Sequence, residues 1–199
     1  AAALRAGHAA EVANALAYWA SRFVTLGPLP SDLGTVADPR MLLRRLQAVP
    51  SRKALIADRM VVAARNPALQ AAVPRLLIDQ HTLARLARLS AQAYAGSGNF
   101  TALHLVTACH AMRVLVPAIE NPLPCLRWFW QAWATAVAAA CLKRLPPAPV
   151  QTWPTLVAAA LASNDEHQIK LIDSCRAEET AYGGDDWRLA ASRALAMPA

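Results

Sequence analysis

Three imidazoles and one amine stand out in this chain by type and spacing. The stretches His104-Leu105-Val106-Thr107-Ala108-Cys109-His110 and Asp165-Glu166-His167-Gln168-Ile169-Lys170 gather three of the five histidines and one of the three lysines. Arginine carries nearly all the remaining positive charge, so a lysine one helical turn from a histidine is read for its nitrogen chemistry. An amine can lose its proton and act as a ligand precursor or nucleophile, which a guanidinium cannot. An imidazole can serve a metal or a proton near neutral pH.

On a helix, at about 100° per residue, Lys170 lies about 60° from His167, Leu171 about 40° and Ser174 about 20°. Glu166, Asp173, Arg176 and Glu179 gather on the other side, so His167 and Lys170 are expected to face inward. His104 and His110 stand about 120° apart, too far to chelate as an i, i+4 pair, with Thr107 midway between them. They are expected to line two sides of one cavity, or else to be satisfied core histidines. Trp128, Phe129, Trp130 and Trp133 fit either a wall for a flat aromatic molecule or the core. No Gly-rich phosphate loop, Gly-x-Ser-x-Gly elbow, Cys-x-x-Cys pair or His-Glu-x-x-His pair is present. Cys109 and its neighbour His110 point apart on a helix, which argues against a Cys-His nucleophile. His8 and His81 read as surface residues.

The elements that must carry these groups are helical. Val12, Leu16, Trp19 and Phe23 share one face of a helix expected over 11–26, ended by Gly27-Pro28-Leu29-Pro30, and a turn-rich linker runs on to Pro39. Short helices are expected over 41–48 and 52–65. A long helical pattern over 67–95 opens at Pro67, is kinked at Pro74 and ends at Gly96-Ser97-Gly98. Asn99 caps the histidine-bearing helix over 100–116. A prolyl bend over 117–124 leads to a Trp-rich helix over 126–144, and another helix covers 153–162. Ser163 and Glu166 form a capping box that opens a helix reaching Tyr182, where Gly183-Gly184 closes it. Asp185 or Asp186 caps the last helix, which runs to Leu195. No strand and no internal repeat is evident. The expected fold is all-α: a single multi-helix, bundle-like domain over 1–199 with short prolyl loops.

Composition supports this, with 56% hydrophobic residues, much of it alanine and leucine, and only seven glycines. A chain of 199 residues buries a core without disulfide or metal staples. The apolar run over 132–142 is much shorter than the roughly 20 residues a bilayer span needs, so no membrane is expected. The first residues show neither an initiating methionine nor a secretory pattern, from which the chain is expected to begin inside a longer protein. The four cysteines read as buried free thiols in a cytoplasmic protein. Ten of the twenty basic residues fall over 40–88, yet the stretch over 24–93 has no Phe, Tyr or Trp on which a base could stack, so no nucleic acid is expected.

The motifs resemble those of the questin oxidase-like family. His-x-Val-Thr-x-x-His-Ala-x-Arg maps onto His104, Val106, Thr107, His110, Ala111 and Arg113, and Asp-x-His-x-Ile-Lys onto Asp165, His167, Ile169 and Lys170. The likeness spans nearly the whole chain but only the C-terminal half of a typical member. It implies oxygen-dependent oxidation or ring opening of a small aromatic substrate, a polycyclic phenol or anthraquinone. It also implies a non-haem iron held by His104, His110, His167 and a carboxylated Lys170, with Thr107, Arg113 and Asp165 supporting the site and NADPH as electron donor. A buried amine is the species that can add carbon dioxide, and the resulting carbamate is an anionic oxygen ligand. The family's upstream histidine motif lies outside this chain, so the resemblance implies a missing N-terminal half or second chain as partner. The alternative is a non-catalytic helical remnant or interaction domain, in which the same histidines satisfy one another inside the bundle.

Overall fold

A computed structural model of the chain describes residues 1–28, 34–44 and 46–197. Within these the fold is all-α, as expected. Eleven α-helices run in order: α1 Ala2–Arg5, α2 Ala9–Arg22, α3 Pro39–Leu43, α4 Ile56–Ala63, α5 Pro67–Ala72, α6 Thr82–Ser97, α7 Phe100–Leu115, α8 Pro122–Ala140, α9 Trp153–Ala162, α10 Glu166–Tyr182 and α11 Asp186–Leu195. The one isolated bridge among the described residues joins Val36 and Leu76.

Local chemistry sets most boundaries. Asn66 and Asn99 each accept two amides of the following first turn, from Ala68 and Leu69 and from Thr101 and Ala102. Proline stands at the start of α3, α5 and α8, where its missing N–H has no partner to lose. Gly98 closes α6 in the left-handed region at φ 57°. The pattern over 67–95 is broken, not merely kinked: α5 ends at Ala72, a 3₁₀ turn covers Val73–Arg75, and α6 starts only at Thr82. A proline ring clashes with the carbonyl four residues back, and here Pro74 ends the helix. Ser163 and Glu166 form no capping box. Ser163 ends α9, and Asp165 is the cap of α10, accepting the His167 amide. The expected end at Gly27-Pro28-Leu29-Pro30 and the linker to Pro39 fall partly on 29–33, outside the described residues.

α6 and α7 form a central hairpin. α11 packs on α6, α10 on both α7 and α11, and α8 on α4 and α7. One continuous apolar cluster runs from Leu42 to Ala194, with Leu86, Val106, Leu171 and Trp187 fully enclosed. Phe100–Ala118 has the length and apolarity of a membrane-crossing helix, with mean hydropathy 1.3, but here it lies between α6, α8 and α10. Cys109 and Cys175 are buried, Cys125 and Cys141 half-buried, and all four are free. Burial pushes the Cys109 thiol up to about 12 and the Cys175 thiol up as well.

The first long helix departs from expectation. α2 ends at Arg22 and buries no residue, leaving Leu16, Trp19 and Phe23 exposed. Its periodicity is amphipathic, but Leu16, Trp19 and Phe23 do not join the apolar cluster formed by the described residues. Leu16→Ser and Trp19→Ser are each expected to shift the unfolding free energy by less than about 0.5 kcal/mol in urea titrations. A loss of about 1.5 kcal/mol or more would show that the face is covered in solution.

Candidate functional site

α7 and α10 meet along a seam that holds all three histidines. Contacts advance in the same direction on both helices: His104 faces His167, while His110 and Arg113 face Glu178. The helices therefore run side by side in the same sense.

At the open end, the rings of Phe100, His104 and His167 form a triangle, with centroids 4.5 Å apart for Phe100–His104, 5.0 Å for Phe100–His167 and 5.5 Å for His104–His167. His104 Nδ1 lies 2.9 Å from the Phe100 carbonyl. A carbonyl only accepts, so Nδ1 carries the proton and Nε2 keeps the lone pair. His167 Nδ1 lies 3.2 Å from Asp165 Oδ1 and takes the same tautomer. The His167 amide, followed by the His167 ring, holds the Asp165 carboxyl below the usual carboxylate range.

Deeper in, His110 Nδ1–H donates to Glu178 Oε1 at 2.8 Å, and Arg113 Nε donates to the same oxygen at 2.6 Å. Glu178 is fully buried, and its Oε2 has no hydrogen-bond partner. His110 Nε2 faces α1, where Arg5 Nη1 donates to it at 3.0 Å while also holding Asp173 Oδ2 at 2.9 Å. All three imidazoles are thus anchored through Nδ1, and Nε2 is left to His104 and His167 but taken up by Arg5 at His110. A carboxylate or carbonyl on one ring nitrogen raises the basicity of the other and fixes its direction.

The expected convergence is partial. His104 and His167 come together, whereas His110 lies farther along the seam among Glu178, Arg113 and Arg5, so the two histidines of α7 do not line one cavity. Lys170 does not face inward. Its side chain is 61% exposed and its amine pairs with Glu166 Oε2 at 2.7 Å, and that pair draws the Glu166 carboxyl below its ordinary range. The buried face of α10 carries Leu171, Ile172, Ser174, Cys175 and Glu178, which centres the inward arc about 110° from Lys170. Thr107 bonds back to the His104 carbonyl at 3.2 Å, and Asp165 serves as the cap of α10. Among the described residues no three His, Cys, Asp or Glu side chains gather around one point that an ion could occupy. The residues present therefore do not compose a full iron site.

Glu178 was not singled out from the sequence, although a signal existed. It stands eleven residues after His167, about 20° away on the wheel, on the inward side. The tryptophans divide by burial. Trp130 and Trp133 are stacked in the core, with their ring nitrogens donating to the Val73 carbonyl and to Ser90 Oγ, each at 2.9 Å. Trp128 is 42% exposed. His8 and His81 lie at the surface.

Comparison with known proteins returns no matching curated protein and no matching solved structure. A family profile described as questin oxidase-like matches residues 8–175.

Proposed function

The chain belongs to the questin oxidase-like family, a membership that suggests an oxidoreductase-type function, and from that premise we propose that the α7–α10 seam performs an oxygen-dependent oxidation or ring opening of a polycyclic phenol. The carrying observation is the shared anchoring of the three imidazoles through Nδ1, which leaves Nε2 as the acceptor nitrogen of each, that of His110 accepting from Arg5. A phenolate gives up electrons far more readily than a phenol, so the chain's own part is to take the phenolic proton. His110 is the group for this. Buried Glu178 fixes its tautomer and stabilises the imidazolium once the proton has arrived, while Arg113 donates to the same carboxylate oxygen. The rings of Phe100, His104 and His167 supply an aromatic surface for a flat substrate, and Phe100 is 51% exposed.

A non-haem iron, with NADPH as electron donor, belongs to this reading as the source of oxidising chemistry. Since the described residues do not complete its ligand set, the remaining ligands would come from a second chain or an N-terminal half, and no step is derived through the metal. Oxygen uptake with an anthraquinone-type phenol is the test. His110→Ala is expected to lower kcat by about 100-fold or more, within the range for loss of a general base. Uptake unchanged by both His110→Ala and His167→Ala would sink the reading.

A second reading, a non-catalytic interaction domain, is favoured by one observation: the uncovered apolar face of α2. It predicts no oxygen uptake with any phenol, whatever the metal supplied.

A further inference from the structure

We propose that the cleft between α3 and the first turns of α6 binds the phosphate group of a small phosphorylated molecule. This cleft of about 450 Å3 is lined by Arg40, Arg85, Arg88 and His81, none of which the phenol chemistry uses. His81, Ala84, Arg85, Arg88 and Leu89 recur at helical spacing, so one face of α6 forms a wall. Arg40 of α3 stands opposite.

The guanidinium groups are held before any ligand arrives. Arg85 is clamped by both oxygens of Asp79, each at 3.0 Å. Asp79 in turn accepts from the His81 amide at 2.9 Å and from Thr82 Oγ1 at 3.1 Å. Burial alone would raise its carboxyl, but the Arg85, His81 and Thr82 hydrogen bonds outweigh that and hold it below the usual range. Arg88 reaches the junction of α10 and α11, donating to Asp186 Oδ2 at 3.3 Å and to the Tyr182 carbonyl at 3.2 Å. It lies so close over Gly184 that an added Cβ would sit 2.9 Å from its Nη1. Arg40 donates to the Gln92 side-chain oxygen at 2.8 Å, and Gln92 donates to Asp186 Oδ1 at 3.0 Å. Its charge therefore meets an amide, not a carboxylate.

Each guanidinium has five N–H groups, and these contacts leave some of them on every one. Three guanidinium groups line the cleft against one carboxylate, that of Asp38. Arg85 and Arg88 are ion-paired with Asp79 and Asp186, neither of which lines the cleft. Forks approaching from two helices suit a tetrahedral dianion, which accepts from several sides. The positive end of α6 adds to the attraction. The volume exceeds that of a bare phosphate, and Ala84 and Leu89 give an apolar wall for an organic body.

The test is calorimetric titration of the full chain with inorganic phosphate and with glucose 6-phosphate. Saturable binding of both is expected, weakened about tenfold or more in Arg40→Gln and in Arg88→Lys, which keeps the charge but loses the fork. Arg144→Gln, an exposed charge outside the cleft, should leave it unchanged. No saturable binding by either probe up to about 10 mM overturns the proposal, as does binding indifferent to Arg40→Gln and Arg88→Lys. Binding of inorganic phosphate without the sugar phosphate would mark an adventitious ion only and would equally overturn it.

Discussion

Glu178→Ala is expected to lower the unfolding free energy by about 3–5 kcal/mol, the usual cost of breaking a buried charged cluster by removing one member. Glu178 is fully buried and takes two donors on a single oxygen, the His110 imidazole at 2.8 Å and the Arg113 guanidinium at 2.6 Å. Without the carboxylate, Arg113 keeps only the Ala177 carbonyl at 3.4 Å, and His110 has no acceptor for Nδ1–H. A cavity is added where the side chain stood. Urea denaturation reads the loss, and a change below about 1 kcal/mol would show that this cluster does not hold α10 to α7. Glu178→Gln keeps the volume and should cost less. It also removes the charge that fixes the His110 tautomer, so the imidazole 15N shifts should move in that variant even where stability is largely kept.

Trp130→Ala is expected to cost about 3–5 kcal/mol as well, by a different route. This side chain is 2% exposed, stacks on Trp133 at 5.8 Å and donates its ring N–H to the Val73 carbonyl. Truncation opens a large cavity and strands a buried acceptor where the α5 segment meets α8. Trp128→Ala, two residues away on the exposed side, should cost less than about 1 kcal/mol. Equal losses at the two positions in thermal or urea unfolding would contradict the division between core and surface tryptophans.

Much of the architecture was legible because helix ends are written in local chemistry. Asn99, Pro67 and Gly98 specify their boundaries through hydrogen bonds and backbone angles reaching only a few residues. Trp153–Ala162 and the stop at Gly183 follow in the same way. Failures came where a neighbour had to decide. The helix expected over 11–26 stops at Arg22, and its apolar stripe stays exposed because periodicity carries no information on what lies across from a face. Ser163 satisfied the spacing of a capping box, yet Asp165 stands nearer the first helical amide and took the role.

The site shows the same limit. That His104, His110 and His167 belong to one region was readable, and α7 and α10 do bring them to one seam. The inward arc of α10 was misjudged because the wheel was centred on His167. Its buried residues put the centre nearer Leu171, which turns Lys170 outward to Glu166 and brings in Glu178. A carboxylate buried between two helices looks, in sequence, like any other acid in an exposed acidic run, here Glu178-Glu179.

Arg5 gives the seam a door with a single latch. Because its guanidinium occupies His110 Nε2 and holds Asp173 at the same time, a molecule seeking that nitrogen competes with the chain's own first helix. Reaching Nε2 requires that hydrogen bond to break, and its strength comes off the occupant's affinity. The residue that must give it up ends a four-residue helix that buries nothing of its own.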